Sequence, residues 1–323
     1  MGISNPAMPM AGVRVLDIAT FIAAPMAAAI LGEFGADVIK IEQPGGGDPW
    51  RRYGTKSKRA DSTLAWLTEA RNKRSLTLNL KAPEGAEIFK RLVKEADIVT
   101  ENFRPGTLEK WGIGYEAVLK DKFPRLIHCR ISGFGADGPL GGAPGYDAVV
   151  QAMTGMMSIN GMAETGAVRL GAPIVDMGTG LYCAIGILMA LQERHRSGLG
   201  QHIDMTLYDS ALALMHPHNA NYFLTGKPGK ASGNSHPNIS PYDKFATATN
   251  DIFIGIGNNR AFARFCKALG VAEILDDPRF ADNADRVVNR AALTDILETA
   301  LAKVDGAAFA EQLLAAGVPA GPV

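Results

Sequence analysis

Cysteine is scarce: Cys129, Cys183 and Cys266 are the only three in 323 residues, and no two form a C-x-x-C pair. An odd, widely spaced set argues against a disulfide framework and against a cysteine zinc site. It reads as reduced, mostly buried thiols in a cytoplasmic protein. Excess charge of either sign is also lacking, because 33 Lys and Arg balance 33 Asp and Glu. Neither nucleic acid nor a membrane surface is therefore expected as a general partner. An anionic ligand has to be met by local basic clusters. The N-terminus has no charged segment leading into an apolar stretch, so no signal peptide is expected. Apolar runs are broken by Gly or charge short of about 20 residues, and no membrane span is expected. GxxxxGK[ST], HExxH and GxSxG are missing, and no GxGxxG follows the first strand, where VLDIATFIAAP stands. These absences count against an NTPase, an NAD enzyme, a zinc hydrolase and a serine hydrolase. No metal site is expected either, since His216 and His218 lie two apart in a polar stretch and read as solvent-facing.

What is present is an ordinary globular composition, 47% hydrophobic and 20% charged, in a chain long enough for two cores. Short β-branched runs alternate with amphipathic stretches. Strands are expected at residues 13–18, 37–42, 75–80, 97–100, 125–131 and 202–207, with helices from Pro25 to Gly35, from Pro83 to Glu95 and over 107–120. Such alternation predicts a Rossmann-like parallel sheet with crossover helices. The run Gly178–Arg196 carries Leu181, Ile185, Leu188 and Leu191 on one face and predicts a mostly buried helix. Two Gly-rich connections, 44–61 and 133–145, are long enough to suggest that they serve a site. Residues 216–241 are rich in Asn, His, Gly and Pro and read as a linker. The expected division is thus a large domain over 1–215 and a smaller α/β domain over 242–323.

Three segments carry candidate chemistry. Asp176, in GAPIVDMGTG, precedes the buried helix. It reads either as an N-cap, accepting the first free amides, or as a carboxylate nucleophile at the positive end of a helix dipole. On the second reading Gly178 and Gly180 let a bulky substrate approach, and unpaired amides hold an oxyanion beside it. Arg71-Asn72-Lys73-Arg74 is the densest basic cluster. It reads either as a solvated loop or as a phosphate clamp. Gly255-Ile256-Gly257-Asn258-Asn259 reads as a tight strand-to-helix turn with Asn as the cap.

Taken together, GADVIKIEQPGGGDPWR, RNKRSLTLNLK, ENFRPGTLEKWGIGYE, PRLIHCRISGFG, GAPGYDAVVQAMTG, PIVDMGTG, SGLGQHIDMTLYDSAL, GNSHPNISPY and IGIGNN resemble the class III CoA-transferase family, also called CaiB/BaiF. The resemblance runs from about Gly12 to Val323. It implies a CoA-transferase without a permanently bound cofactor, acting on an acyl-CoA thioester and a small carboxylic acid, such as a dicarboxylate. It places Asp176 on the catalytic aspartate, which passes through an aspartyl anhydride and an aspartyl–CoA thioester. Lys73 and Arg74 fall near the CoA phosphates, and Asn102 and Lys110 line the CoA site. Phe21 and Ile22 lie near the thioester, Tyr146 and Asp147 lie beside the active site, and Gly255, Gly257 and Asn258 are the second domain's contribution. Racemases in the family carry His where Tyr146 stands, and tyrosine is a poor base at neutral pH. Transfer is thereby favoured over α-carbon isomerisation; a CoA-binding paralogue without activity is the non-enzymatic alternative. Arg169, Arg260 and Tyr242 are candidates to meet the second carboxylate of a dicarboxylic substrate. The family forms an interlocked homodimer, and its members usually continue past GVPAGPV to complete the first domain.

Overall fold

A computed structural model describes residues 7–162 and 164–323. The chain divides into two compact units, one running up to Ser158 and resuming over Val168–Gly229, the other made of Ile159–Ala167 and Lys230–Val323.

The larger unit is built on β1 (Arg14–Asp17), β2 (Asp37–Glu42), β3 (Lys73–Thr77), β4 (Ile98–Glu101), β5 (Ile127–Ser132) and β6 (His202–Thr206). They form one sheet in the order β3-β2-β1-β4-β5-β6, every pair parallel. Val15, Leu16, Val38, Ile98, Val99, Ile127 and Cys129 are almost wholly buried, as strands covered on both faces require. Strand order reverses between β1 and β4, opening a crevice beyond their carboxyl ends, where open α/β sheets bind ligands.

Helix α1 (Ala23–Glu33) follows β1, α2 (Pro83–Val93) follows β3, α3 (Asp147–Met153) follows the second Gly-rich loop, and α4 (Ile174–Ser197) is the longest. Helices α5 (Leu207–Leu214) and α6 (His218–Thr225) come after β6. α1 buries a stripe of alanines, with Ala24, Ala27, Ala28 and Ala29 fully covered, and α4 packs against it. A β-carbon on Gly180 of α4 would stand 2.8 Å from the carbonyl oxygen of Ala23, so the two backbones meet without an intervening side chain. Gly180→Ala should therefore cost about 1–3 kcal/mol, the price of overpacking, read as a Tm lowered by several degrees in thermal unfolding.

Several sequence expectations shift. The strand expected over 75–80 begins at Lys73, because β2 pairs in the register Val38↔Lys73 to Glu42↔Thr77. Pro25 is the third residue of α1 rather than the first. The helix expected over 107–120 stops after one turn, Thr107–Lys110, where Gly112 turns left-handed (φ 69°), and resumes at Tyr115. Of the expected apolar face of α4 only Leu191 is buried: Leu181, Ile185 and Leu188 are about half exposed, while Gly178, Cys183, Ala184, Ile187 and Ala190 face inward. Close packing on alanine-rich α1 selects the small-residue side. α4 is also long and apolar enough to cross a bilayer, contrary to the expectation from sequence, yet half of that stretch is buried inside the protein. The stretch 216–241, read as a linker, contains α6.

In the second unit, β7 (Tyr242–Phe245), β8 (Ile252–Gly255) and β9 (Ala320–Pro322) form an antiparallel sheet in the order β9-β8-β7. Helices α7 (Asn259–Leu269), α8 (Arg290–Leu301) and α9 (Gly306–Ala315) close a core of Ile252, Ile254, Phe262, Phe265, Leu297 and Leu313. Gly161–Met162 and Gly166–Ala167 pair as a short hairpin in the same unit.

Candidate active site

The crevice at the reversal point is a cleft of about 770 Å³ in the larger unit, ample for a thioester and its acyl group. Thr20, Phe21 and Ile22 from the turn after β1 line it, with Asn102 after β4 and Ser132 at the end of β5. Both long connections contribute, through Trp50 and Tyr53 and through Gly133, Pro144 and Gly145. The second connection is pinched at its base, where a β-carbon on Gly133 would lie 2.8 Å from the α-carbon of Gly145. Phe21 is the hub of an aromatic wall, with ring centroids 6.0 Å from Trp50, 5.9 Å from Tyr53 and 6.3 Å from Tyr146.

Asp176 lines this cleft from the first turn of α4. It is the third residue of the helix and not its cap. Capping falls to Asp147, whose Oδ2 accepts from the amides of Val175 (2.7 Å) and Asp176 (3.0 Å), while Oδ1 accepts from Gln151 Nε2. The Ile174 amide donates to Ala172 and that of Met177 to Pro173. The first-turn amides are thus occupied, and the oxyanion site expected beside Asp176 has no donors there. Among the described residues nothing donates to the Asp176 carboxylate. Burial, then the neighbouring Asp147 and Glu69 carboxyls, push its pKa up to about 7. The helix dipole does not dominate, contrary to the sequence-based expectation of a stabilised anion. Nor do the glycines open the approach: a β-carbon on Gly178 would meet Leu214 Cδ1 at 2.4 Å, so both Gly178 and Gly180 serve packing.

Phe21, Ile22, Asn102, Tyr146, Asp147 and Asp176 converge on this one cleft, and Arg169 joins them. Lys73, Arg74 and Lys110 do not line it. The Lys73 ammonium is buried, donating to Asp17 Oδ2 (2.8 Å) and to the Pro25 carbonyl (2.6 Å). Arg74 pairs with Asp37 and Arg71 with Glu33, so the basic cluster is mostly spent on carboxylates of neighbouring elements. The loop reading of 71–74 is corrected accordingly. The amide of Asn102 is engaged with Thr20, accepting from its N–H (2.9 Å) and donating to its C=O (2.7 Å). Gly255, Gly257 and Asn258 belong to the second unit, where Asn258 caps α7 through Ala261 N; Arg260 and Tyr242 lie there too.

Sequence reasoning missed Glu69, which is 9% exposed and keeps an unpartnered Oε2. It also missed the buried charges Asp17, Lys40 and Asp48. A charged residue set between apolar neighbours inside a strand, as Asp17 is between Leu16 and Ile18 and Lys40 between Ile39 and Ile41, was the available signal. Among the described residues no group of three or more His, Cys, Asp or Glu is placed to hold a metal.

A Rossmann-like parallel sheet with a ligand-sized cleft at its switch point, and a buried carboxylate in that cleft, is the frame of an α/β enzyme. The pattern of CoA-transferase family III matches residues 10–323, and the chain belongs to that family. It is 40% identical to a succinate–glutarate CoA-transferase of Agrobacterium fabrum, over 99% of this chain and 81% of that protein. It is 38% identical to an acetyl-CoA:oxalate CoA-transferase of Acetobacter aceti, over 99% of this chain and 82% of the other. Among solved structures, a CaiB/BaiF family protein from Brucella suis superposes with TM-score 0.87 at 40% identity, covering 98% of this chain and 84% of that one.

Proposed function

We propose that this enzyme moves CoA from an acyl-CoA to a free carboxylic acid, with Asp176 as the covalent carrier. The observation that supports this most directly is the Asp176 carboxylate, in the cleft yet without a hydrogen-bond partner among the described residues, with its pKa raised to about 7. A carboxylate of that basicity is a better nucleophile than an ordinary aspartate and is still substantially ionised at neutral pH. Its Oδ attacks the thioester carbonyl and expels CoA thiolate, leaving a mixed aspartyl–acyl anhydride. The thiolate then attacks the aspartyl carbonyl, giving an aspartyl–CoA thioester and releasing the donor acid. An acceptor carboxylate attacks that thioester to form a second anhydride, and the thiolate takes up the new acyl group, regenerating Asp176. Each intermediate conserves the thioester's activation provided water is kept out. Phe21 and Trp50 supply apolar lining for that purpose, while Tyr53 and Tyr146 stand more than half exposed at the opening.

The reading extends along CoA. A second cavity of about 310 Å³ shares Thr20 and Phe103 with the main cleft and carries Asn79, Lys81 and Trp111. An elongated thioester needs two such adjoining spaces, one for each end. Arg169 at the rim suits a second carboxylate on the acid, and succinate, glutarate and oxalate in the relatives' names fit a dicarboxylic substrate. The test is intact-protein and peptide mass spectrometry after mixing with succinyl-CoA or acetyl-CoA and borohydride, which reduces an aspartyl thioester to the alcohol. Reduction mapped to Asp176 is expected; a protein that turns over without any adduct there would sink the mechanism.

We further propose that a second copy covers the uncovered face of α4, where Leu181, Ile185, Leu188 and Met189 are 47–67% exposed. A contiguous apolar face of this kind marks an association surface. Leu188→Glu with Met189→Glu should shift the protein from dimer to smaller species in sedimentation. An unchanged sedimentation coefficient would count against it.

A further inference from the structure

The turn that carries Phe21 into the cleft is held by the side chains of Asp17, Lys40, Asp48 and Asn102. Phe21 adopts φ 63°, a left-handed conformation unfavourable for a bulky residue. Beyond Ile18, whose amide still donates to Thr100 in β4, the backbone leaves the sheet. Instead the Ala19 amide donates to Asp17 Oδ1 (3.1 Å), the Phe21 amide donates to Asp48 Oδ1 (3.2 Å), and the Ala19 carbonyl accepts from Lys40 Nζ. Beneath the turn, Lys40 Nζ lies 3.3 Å from Asp48 Oδ2 and 3.6 Å from Asp17 Oδ2, with Lys73 on Asp17 as well. Asp17, Lys40 and Asp48 are each 2% exposed or less. Burial alone would raise the Asp17 pKa, but Lys40 and Lys73 outweigh it and hold the carboxyl below its usual range.

Such a network is costly to bury, and breaking it leaves an unpaired charge in the interior. A strained residue persists only where its surroundings over-determine it, and such residues cluster at ligand sites. The network also reaches the Pro25 carbonyl through Lys73 and the Trp50 amide through Asp48, but three of its contacts fall on the one turn whose side chain forms the hub of the cleft's aromatic wall. We infer that Lys40 and Asp48 are positioning residues: they fix the Phe21 turn so that its ring and the adjoining backbone present a preformed wall to the acyl-CoA. Neither residue lines the main cleft; Asp48 also accepts from the Trp50 amide (2.9 Å) and borders the second cavity, whereas Lys40 lines neither space and acts through the turn. This rests on reading the cleft as the acyl-CoA site.

The experiment compares Asp48→Ala, which removes the acceptor for the Phe21 and Trp50 amides, with Asp48→Asn, which keeps an acceptor oxygen but not the charge facing Lys40. Acyl-CoA binding is measured by calorimetry, which needs no turnover, alongside KM, kcat and Tm, all well below the melting temperatures. Asp48→Ala is expected to raise Kd and KM for acyl-CoA about tenfold or more with kcat changed much less, and Asp48→Asn to recover most of that loss. A merely structural role would lower Tm and leave KM of the remaining folded enzyme unchanged. That result overturns the inference, as does tight binding by Asp48→Ala or an unchanged KM for Lys40→Met, the variant at a residue that lines neither cavity. Failure of the unsubstituted protein to bind any acyl-CoA would instead remove the reading of the cleft itself.

Discussion

Asp176→Ala should abolish CoA transfer, lowering kcat by at least about a thousandfold, while acyl-CoA still binds. The reason is chemical and not structural. The carboxylate makes no hydrogen bond within the described residues and does not cap α4, so its removal leaves the helix terminus intact on Asp147. Asp176→Asn should be equally inactive at first, regaining activity only by slow deamidation. Steady-state kinetics with a succinyl-CoA donor, together with calorimetric binding, check this. Full turnover by the alanine variant would end the covalent mechanism.

The pH profile gives the second large effect. With the Asp176 pKa at about 7, the nucleophile is protonated below neutrality, so kcat/KM should rise about tenfold per pH unit below that value and level off above it. Burial is the main cause of the shift and Asp147 the next. Asp147→Asn keeps an oxygen for the Val175 and Asp176 amides but removes the repelling charge. Its rising limb should move toward lower pH without reaching the ordinary aspartate range. The same shift is linked to stability. A carboxyl whose folded pKa is raised favours folding when protonated, so its contribution is fully present below its ordinary pKa of 3.8 and is lost as pH rises through about 7. Asp176→Asn should therefore melt higher than the native protein at pH 8, with the gap closing at pH 4. A pH-independent gap in Tm would show that the carboxyl is not perturbed.

The parallel sheet was legible because its strands are short apolar runs separated by amphipathic stretches, and both patterns are local. The Gly255–Asn258 turn was legible for the same reason, since an asparagine cap needs only the next three residues. Chain order could not say which face of α4 is buried. Periodicity found the leucine side, but close approach to alanine-rich α1 at Gly180 favours the side that carries Gly178, Gly180, Ala184 and Ala190 together with Ile187, and that side went inward. Nor could it say what Asp176 would be paired with. The local pattern allowed a cap or a nucleophile, and Asp147, 29 residues away, took the amides and left the carboxylate open.

By itself, then, the sequence determined the fold class, the family and the carboxylate to watch, because each is written in local runs of residue types. Tertiary structure alone decided the ionisation of that carboxylate and the fate of the basic cluster. Both depend on which charges are brought together from distant strands, and on how much water is excluded when they meet. Asp17, Lys40, Asp48 and Lys73 are scattered over nearly 60 positions, and only the sheet makes them one network beneath Phe21.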